Sequence, residues 1–277
     1  MRLRGIRRSK NVEVRRGGRG GRAGGIGIVG LIVVLAVGYF TGIDVSPLLQ
    51  QTASQSQQSA PVSEADSRAT QFSAQVLATT EDVWTNVFRE QLGREYVPPK
   101  LVVFSGVTQS PCGGASGATG PFYCPADSKA YLDTAFFNLL DERMGAGGDF
   151  AAAYVIAHEV AHHVQNELGI LPKVNAARQQ SSEVEANALT VRLELMADCL
   201  SGVWARNVEG LLERGDLQEA LNAARKIGDD YLQRQAGRVP QPHTFTHGTS
   251  DQRERWFARG FETGAVGQCD TFAANRL

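Results

Sequence analysis

Histidine is scarce in this chain, five residues in 277, and cysteine is scarcer still, at four. No two cysteines form a Cys-x-x-Cys pair, which argues against cysteine-ligated zinc. No internal repeat is present, so repeat architectures are set aside. Net charge is almost absent as well, −1 overall, but the near-zero sum hides an asymmetry. Residues 1–22 hold nine Lys and Arg against Glu13 alone, and the rest of the chain is correspondingly acidic. No charged residue lies between Arg22 and Asp44.

That uncharged run, "AGGIGIVGLIVVLAVGYFTGI" over 23–43, would span about 30 Å as a helix, the thickness of a hydrocarbon core. Membrane helices tolerate its glycines better than soluble ones do. No small-x-small cleavage site follows it, which argues against a removed signal peptide. The preceding "RRGGRGGR" resembles nucleic-acid-binding segments. Beside an apolar span it reads instead as the cytoplasmic flank of an anchor, so no nucleic-acid partner is expected. The expectation is a single-pass cell-membrane protein. Residues 1–22 form its basic cytoplasmic tail, 23–43 its transmembrane anchor, and the functional domain is extracytoplasmic, periplasmic or extracellular. Residues 44–68 are rich in Gln, Ser and Ala, contain no aromatic residue, and read as a flexible linker.

The remaining domain, 69–277, reads as α+β, mostly helical with a small sheet. Phe72, Val76, Val83, Val87 and Leu92 fall at near-helical spacing. "KLVVF" after a Pro-Pro turn and a segment around Lys129–Leu132 read as short strands, with a glycine-rich loop between them. Further helices are expected over 150–168, 181–207 and 217–235, and a last one begins after a Thr249 or Ser250 cap. Four cysteines in an extracytoplasmic domain suggest two disulfides, with three possible connectivities. Cys112 with Cys124 is the natural pair, stapling the glycine-rich loop, and Cys199 with Cys269 then follows by default. The alternative for Cys199 is a buried thiol on a helix.

Three of the five histidines fall within "AAAYVIAHEVAHHVQNELG", residues 151–169. His158 and His162, at i and i+4, differ by about 40° around a helix and project toward one point. His163 lies about 140° from His158 and points elsewhere. Glu159 sits beside the pair, where its carboxylate reaches a water without ligating a metal. Composition alone gives about 0.005 H-E-x-x-H matches in such a chain, so the spacing points to chemistry rather than chance. Catalytic zinc takes three protein ligands, so one more is required. "VRLELMADCLSG" offers Glu194 and Asp198, also i and i+4, amid Leu193, Leu195, Met196 and Leu200. Glu194 is read as the ligand and Asp198 as the acceptor that fixes a ligand histidine's tautomer. Glu183, eleven residues earlier and within about 20° of the same face, is the rival ligand.

"AHEVAHHVQ", "RLELMADCLSGVW", "HGTSDQRERWFARGFETG" and "TGPFYCPADSKAYLD" together resemble the bacterial neutral zinc metallopeptidases, from the basic tail to the final "CDTF". These are membrane-anchored proteins with a zincin-type domain related in layout to the glutamate-ligand zincins. The resemblance implies a zincin-like fold, zinc as cofactor, and a protein or peptide substrate. It also implies ligand roles for His158, His162 and Glu194, support from Asp198, and a general-base role for Glu159. A late histidine that stabilises the oxyanion in such enzymes matches His247 in "HGTS". The alternatives for His247 are an idle loop residue or the third ligand in place of Glu194. Arg253 and Arg255 follow, either as anion-binding groups or as solvated ones. The expected function is peptide-bond hydrolysis by zinc-activated water, with a "KLVVF" or "AYLD" edge for an extended substrate. The alternative is a zinc-binding scaffold or substrate-binding module at the membrane without turnover.

Overall fold

The computed structural model describes residues 1–16, 64–116, 120–142 and 147–277. Val12, Glu13, Val14 and Arg15 alternate apolar with charged, and they form a strand, β1 (Val12–Arg16). It pairs in parallel with β2 (Lys100–Ser105), whose four middle residues are all buried. The hairpin β3 (Val107–Ser110) and β4 (Gly113–Ser116) follows, then β5 (Phe122–Cys124) and β6 (Lys129–Asp133). The main sheet runs β1–β2–β6–β5, with β6 parallel to β2 and β5 antiparallel to β6. The glycine-rich loop of the sequence reading is thus largely strand. Cys112, at the hairpin turn, bridges to Cys124 at the end of β5. The expected substrate-pairing strands, "KLVVF" and "AYLD", are interior to this sheet, because β1 and β5 flank them.

The helices are α1 (Glu64–Val87), α2 (Ala135–Glu142), α3 (Asp149–Glu167), α4 (Ile170–Arg178) and α5 (Glu183–Asn207). After them come α6 (Asp216–Lys226), α7 (Asp229–Gln235) and α8 (Ser250–Thr263). Helix α1 starts at Glu64, inside the stretch read as linker. Helix α3 carries the H-E-x-x-H residues. It contains neither Gly nor Pro, and it begins after Gly148 and ends before Gly169, both at positive φ. Nearly all of its faces are buried, against α1, α5, α6 and the sheet, which explains its alanine-rich, weakly amphipathic sequence. A capping box of Ser182 and Glu185 starts α5, and another of Thr249 and Gln252 starts α8 at one of the two expected caps. The helix expected over 217–235 is two helices. Gly228 packs against the Ser250 backbone, where a Cβ would not fit, and the chain turns there.

Helices α5 and α8 cross at Gly202 and Gly260, where added Cβ atoms would collide with Phe257 O and Cys199 O respectively. The Cys199–Cys269 disulfide ties the C-terminal segment to the same place, so both disulfides pair as the sequence suggested. A single large core links these helices to one face of the sheet, with Trp84, Phe88, Tyr154, Trp204 and Phe257 among its fully buried side chains.

The membrane reading is corrected. Among the described residues no helix is long and apolar enough to cross a membrane, and the expected anchor, 23–43, lies outside them. The residues taken for the start of a cytoplasmic tail belong to the domain itself. Besides β1, Arg7 pairs with Glu81 at 2.8 Å, Asn11 donates to Glu81 at 2.8 Å, and the Met1 ammonium meets Asp149 at 2.8 Å. A strand hydrogen-bonded to β2 cannot lie across a bilayer from it. A cytoplasmic N-terminus with an extracytoplasmic domain is therefore ruled out.

Candidate metal centre

The i, i+4 spacing on α3 aims His158 and His162 at one point, and α5 brings Glu194 to it. Nε2 of His158 lies 3.0 Å from Glu194 Oε2, and Nε2 of His162 lies 3.4 Å from Glu194 Oε1. One ligand atom from each of the three residues falls within 4.8 Å of the others.

Hydrogen bonds behind the rings decide which nitrogen is free. Asp198, on α5 and fully buried, accepts from His158 Nδ1 at 3.0 Å. Gln165 donates its amide to Leu193 O at 2.7 Å, so its Oε1 is left to accept from His162 Nδ1 at 2.9 Å. Each imidazole therefore keeps a proton on Nδ1, which leaves Nε2, facing a carboxylate, as the atom to be filled by a metal or by a second proton. Three acceptors face one another with no donor between them, an arrangement that only protons or a cation can satisfy. Two neutral imidazole nitrogens and one carboxylate oxygen are a donor set suited to zinc. The pKa shifts reflect the same excess of negative charge. Burial opposes a charged His158, yet the hydrogen bonds of Asp198 and Glu194 push it up to about 10. Burial likewise opposes an ionised Glu194, and the two histidines hold it well below the ordinary carboxylate range.

Asp198 is itself held as an anion. Arg253 of α8, 1% exposed, donates to it in a fork, Nε to Oδ2 at 2.8 Å and Nη2 to Oδ1 at 2.9 Å. Tyr154, one turn before His158, donates to Oδ1 at 2.6 Å. Burial pushes the Asp198 pKa up, but the Arg253 charge and the hydrogen bonds from His158 and Arg253 together bring it below the ordinary carboxylate value. Glu159 lies beside the cluster, 8% exposed, with its pKa raised by burial against the opposing pull of His162 and His158.

The cluster opens into a cleft of about 700 Å³ walled by β5 and its flanking loops, α3, α4, α5 and the α7–α8 region. Glu159 and His247 both line it. The His247 loop is fixed by Asp229 at the start of α7, whose Oδ2 accepts from the backbone N–H of Thr246, His247 and Gly248 at 2.7, 2.6 and 3.0 Å. Asp229 Oδ1 lies 3.2 Å from His247 Nδ1.

Sequence comparison supplies the family. The family described as "Putative neutral zinc metallopeptidase" matches residues 1–272. The chain belongs to this zinc metallopeptidase family. Zinc is thus the cofactor that membership implies, and the donor set above suits it. Uncharacterized protein YpfJ of Escherichia coli (strain K12) is 49% identical over 286 aligned positions, covering 98% of this chain and 99% of that protein. Uncharacterized protein Rv2575 of Mycobacterium tuberculosis (strain H37Rv) is 43% identical over 195 positions, 66% of this chain and 65% of that protein. No solved structure matches the chain.

In this metallopeptidase-family chain, His158, His162, Glu194, Asp198 and Glu159 are brought together, and His247 lines the same cleft without joining the three-residue cluster. Glu183 is exposed at the first turn of α5 and is not part of the cluster. Its angular match to Glu194 carries no weight, because eleven residues separate the two by about 16 Å along the axis. His163 turns away as expected. Its Nε2 donates to Val97 O at 2.6 Å and its Nδ1 accepts from Tyr123 OH at 3.0 Å. His243 is exposed. The sequence reading missed Gln165, Tyr154 and the role of Arg253. The first two carry a signal, standing three residues after His162 and four before His158. For Arg253 the clue is its i+3, i+4 and i+7 neighbours Trp256, Phe257 and Gly260, all buried, which place it on the inner face of α8.

Proposed function

We propose that this protein is a zinc-dependent peptidase in which His158, His162 and Glu194 hold the metal and Glu159 is the general base. The observation that carries the reading is the convergence of two Nε2 atoms on Glu194, with Glu159 beside them, on the floor of an open cleft. The arrangement of a histidine-bearing helix and a later glutamate-bearing helix is the one expected of glutamate-ligand zincins, and it supports the same conclusion. Zinc in such a site acts as a Lewis acid that polarises a carbonyl and acidifies water. Asp198 holds His158 in the tautomer that leaves Nε2 to bind, and Gln165 does the same for His162. Glu159 takes a proton from the attacking water and delivers it to the leaving amine nitrogen. Its burial favours the protonated form it must pass through. His247 has its Nδ1 engaged by Thr246 Oγ1 at 3.1 Å and Asp229 Oδ1 at 3.2 Å, which leaves Nε2 as the nitrogen that would donate to an oxyanion. Pure metal binding does not require Glu159, and this favours turnover over a zinc-binding scaffold.

The test is Glu159→Gln in the full chain. Zinc content is expected to persist while hydrolysis of a denatured-protein substrate falls by about 10²–10⁴-fold. Hydrolysis that survives the change refutes the general-base assignment. In parallel, Glu194→Ala is expected to lose zinc and Glu183→Ala to keep it.

A further inference from the structure

Helix α4 carries Leu171, Asn175 and Arg178 at i, i+4 and i+7, so the three form one stripe, and all three line the cleft. The stripe begins apolar and ends cationic. Leu171 is buried in a small cluster with Tyr123, Val174 and Leu193, and Leu193 precedes Glu194. The apolar end of the stripe therefore adjoins the metal centre. From α5, Thr190 lines the same wall one turn before Glu194, so the wall runs away from the metal along the α4–α5 pair.

Arg178 stands at the far end of this wall. Its guanidinium donates to Asn175 Oδ1 at 3.2 Å and pairs with no carboxylate among the described residues. Apart from the histidines and Arg253, whose guanidinium is engaged by Asp198, it is the one cationic side chain in the described lining. The acidic side chains in that lining are Glu159 and Glu194, both at the metal centre. Leu171 and Arg178 are separated by about 10 Å along the helix axis. An extended peptide covers that distance in about three residues.

We infer that the cleft selects peptides bearing a carboxylate about three residues from an apolar side chain, with the apolar group against Leu171 and Leu193 and the carboxylate on Arg178. This rests on the peptidase reading and names the substrate class for it. The carboxylate comes either from an Asp or Glu side chain or from a free C-terminus, and Arg178 offers both the same planar donor fork.

The experiment uses the full-length Glu159→Gln variant loaded with zinc and three fluorescein-labelled hexapeptides, with binding read by anisotropy. One peptide carries Glu three residues from Leu and an amidated C-terminus. The second replaces that Glu with Gln and stays amidated. The third is the Gln peptide with its free C-terminal carboxylate three residues from Leu. The Glu peptide, the free-carboxylate peptide or both should bind about five-fold tighter than the neutral one, with the difference shrinking at high salt. Arg178→Gln should abolish that preference, and Arg178→Glu should shift it to a Lys-bearing peptide. Equal affinities in the parent variant, a preference that survives Arg178→Gln, or no binding of any peptide each overturn the inference. Cleavage by the chain with Glu159 intact separates the two ideas. Carboxylate-selective binding with no peptide cleaved sinks the peptidase reading alone, whereas cleavage without carboxylate preference sinks the inference alone.

Discussion

Asp198 is fully buried, and its two oxygens receive His158, Tyr154 and both arms of the Arg253 fork. A buried carboxylate of this kind is stable only while its partner charge is present. Arg253→Met, which keeps the bulk and removes the charge, is expected to destabilise the protein by about 3–5 kcal/mol. It should also weaken zinc affinity by about 10–100-fold, because His158 loses a firmly oriented acceptor. Denaturant titration and a competitive zinc chelator read the two effects separately. An unchanged zinc affinity would show that Asp198 orients His158 without help from Arg253. At this scale much was readable from spacing alone. His158 with His162, and Glu194 with Asp198, are i, i+4 pairs, and a helix converts that interval into a shared face wherever it lies. Arg253 was not readable as a partner of Asp198, because 55 residues and another helix separate them.

Helices α5 and α8 approach closely enough at Gly202 and Gly260 that neither position has room for a methyl group. Gly260→Ala is expected to cost about 1–3 kcal/mol through overpacking, although alanine is the better helix former. A higher melting temperature for that variant would contradict the crossing. Strand β1, besides its ladder to β2, has a charged link to β6. Glu13 accepts from Arg15 at 2.7 Å and from Lys129 of β6 at 2.8 Å, and these bonds pull its pKa from 4.5 down to about 2. Since the folded-state pKa lies below the unfolded one, the stabilisation is present above about pH 4.5 and disappears as the pH falls toward 2. Hydrogen-exchange protection of β1 amides, corrected for intrinsic rates, should therefore fall in that window, and Glu13→Gln should remove the pH dependence. The long helices could be located from their periodicity and caps. The arginines of β1 hide it in a count of charge, and the alternation of Val12 and Val14 is its structural signal.

Across the whole molecule, two covalent ties and an N-terminal arm hold distant segments to the site. Cys199 and Cys269 are 70 residues apart, and Cys112 and Cys124 are 12 apart. Longer closed loops restrict the unfolded chain more, so removing the first bridge by paired Cys→Ala changes is expected to cost about 2–5 kcal/mol and removing the second less. Urea midpoints of the two double variants check that order. The arm matters for any truncation. A fragment beginning at residue 69 would lack β1 and part of α1, so metal and activity measurements belong on the full chain. Taken alone, the sequence determined the local chemistry: which histidines share a helix face, which carboxylates accompany them, where the long helices run, and that both disulfides were available. The helical features among these depend on intervals of a few residues, which helical geometry fixes in advance, and the disulfides depend on the even number of cysteines. Only the tertiary structure decided that residues 1–16 complete the sheet instead of lying across a membrane, that Arg253 neutralises Asp198, and that Glu183 lies far from the cluster. Each of these depends on contacts between segments far apart in the chain, which are set by packing and charge pairing and leave no periodic trace in the sequence.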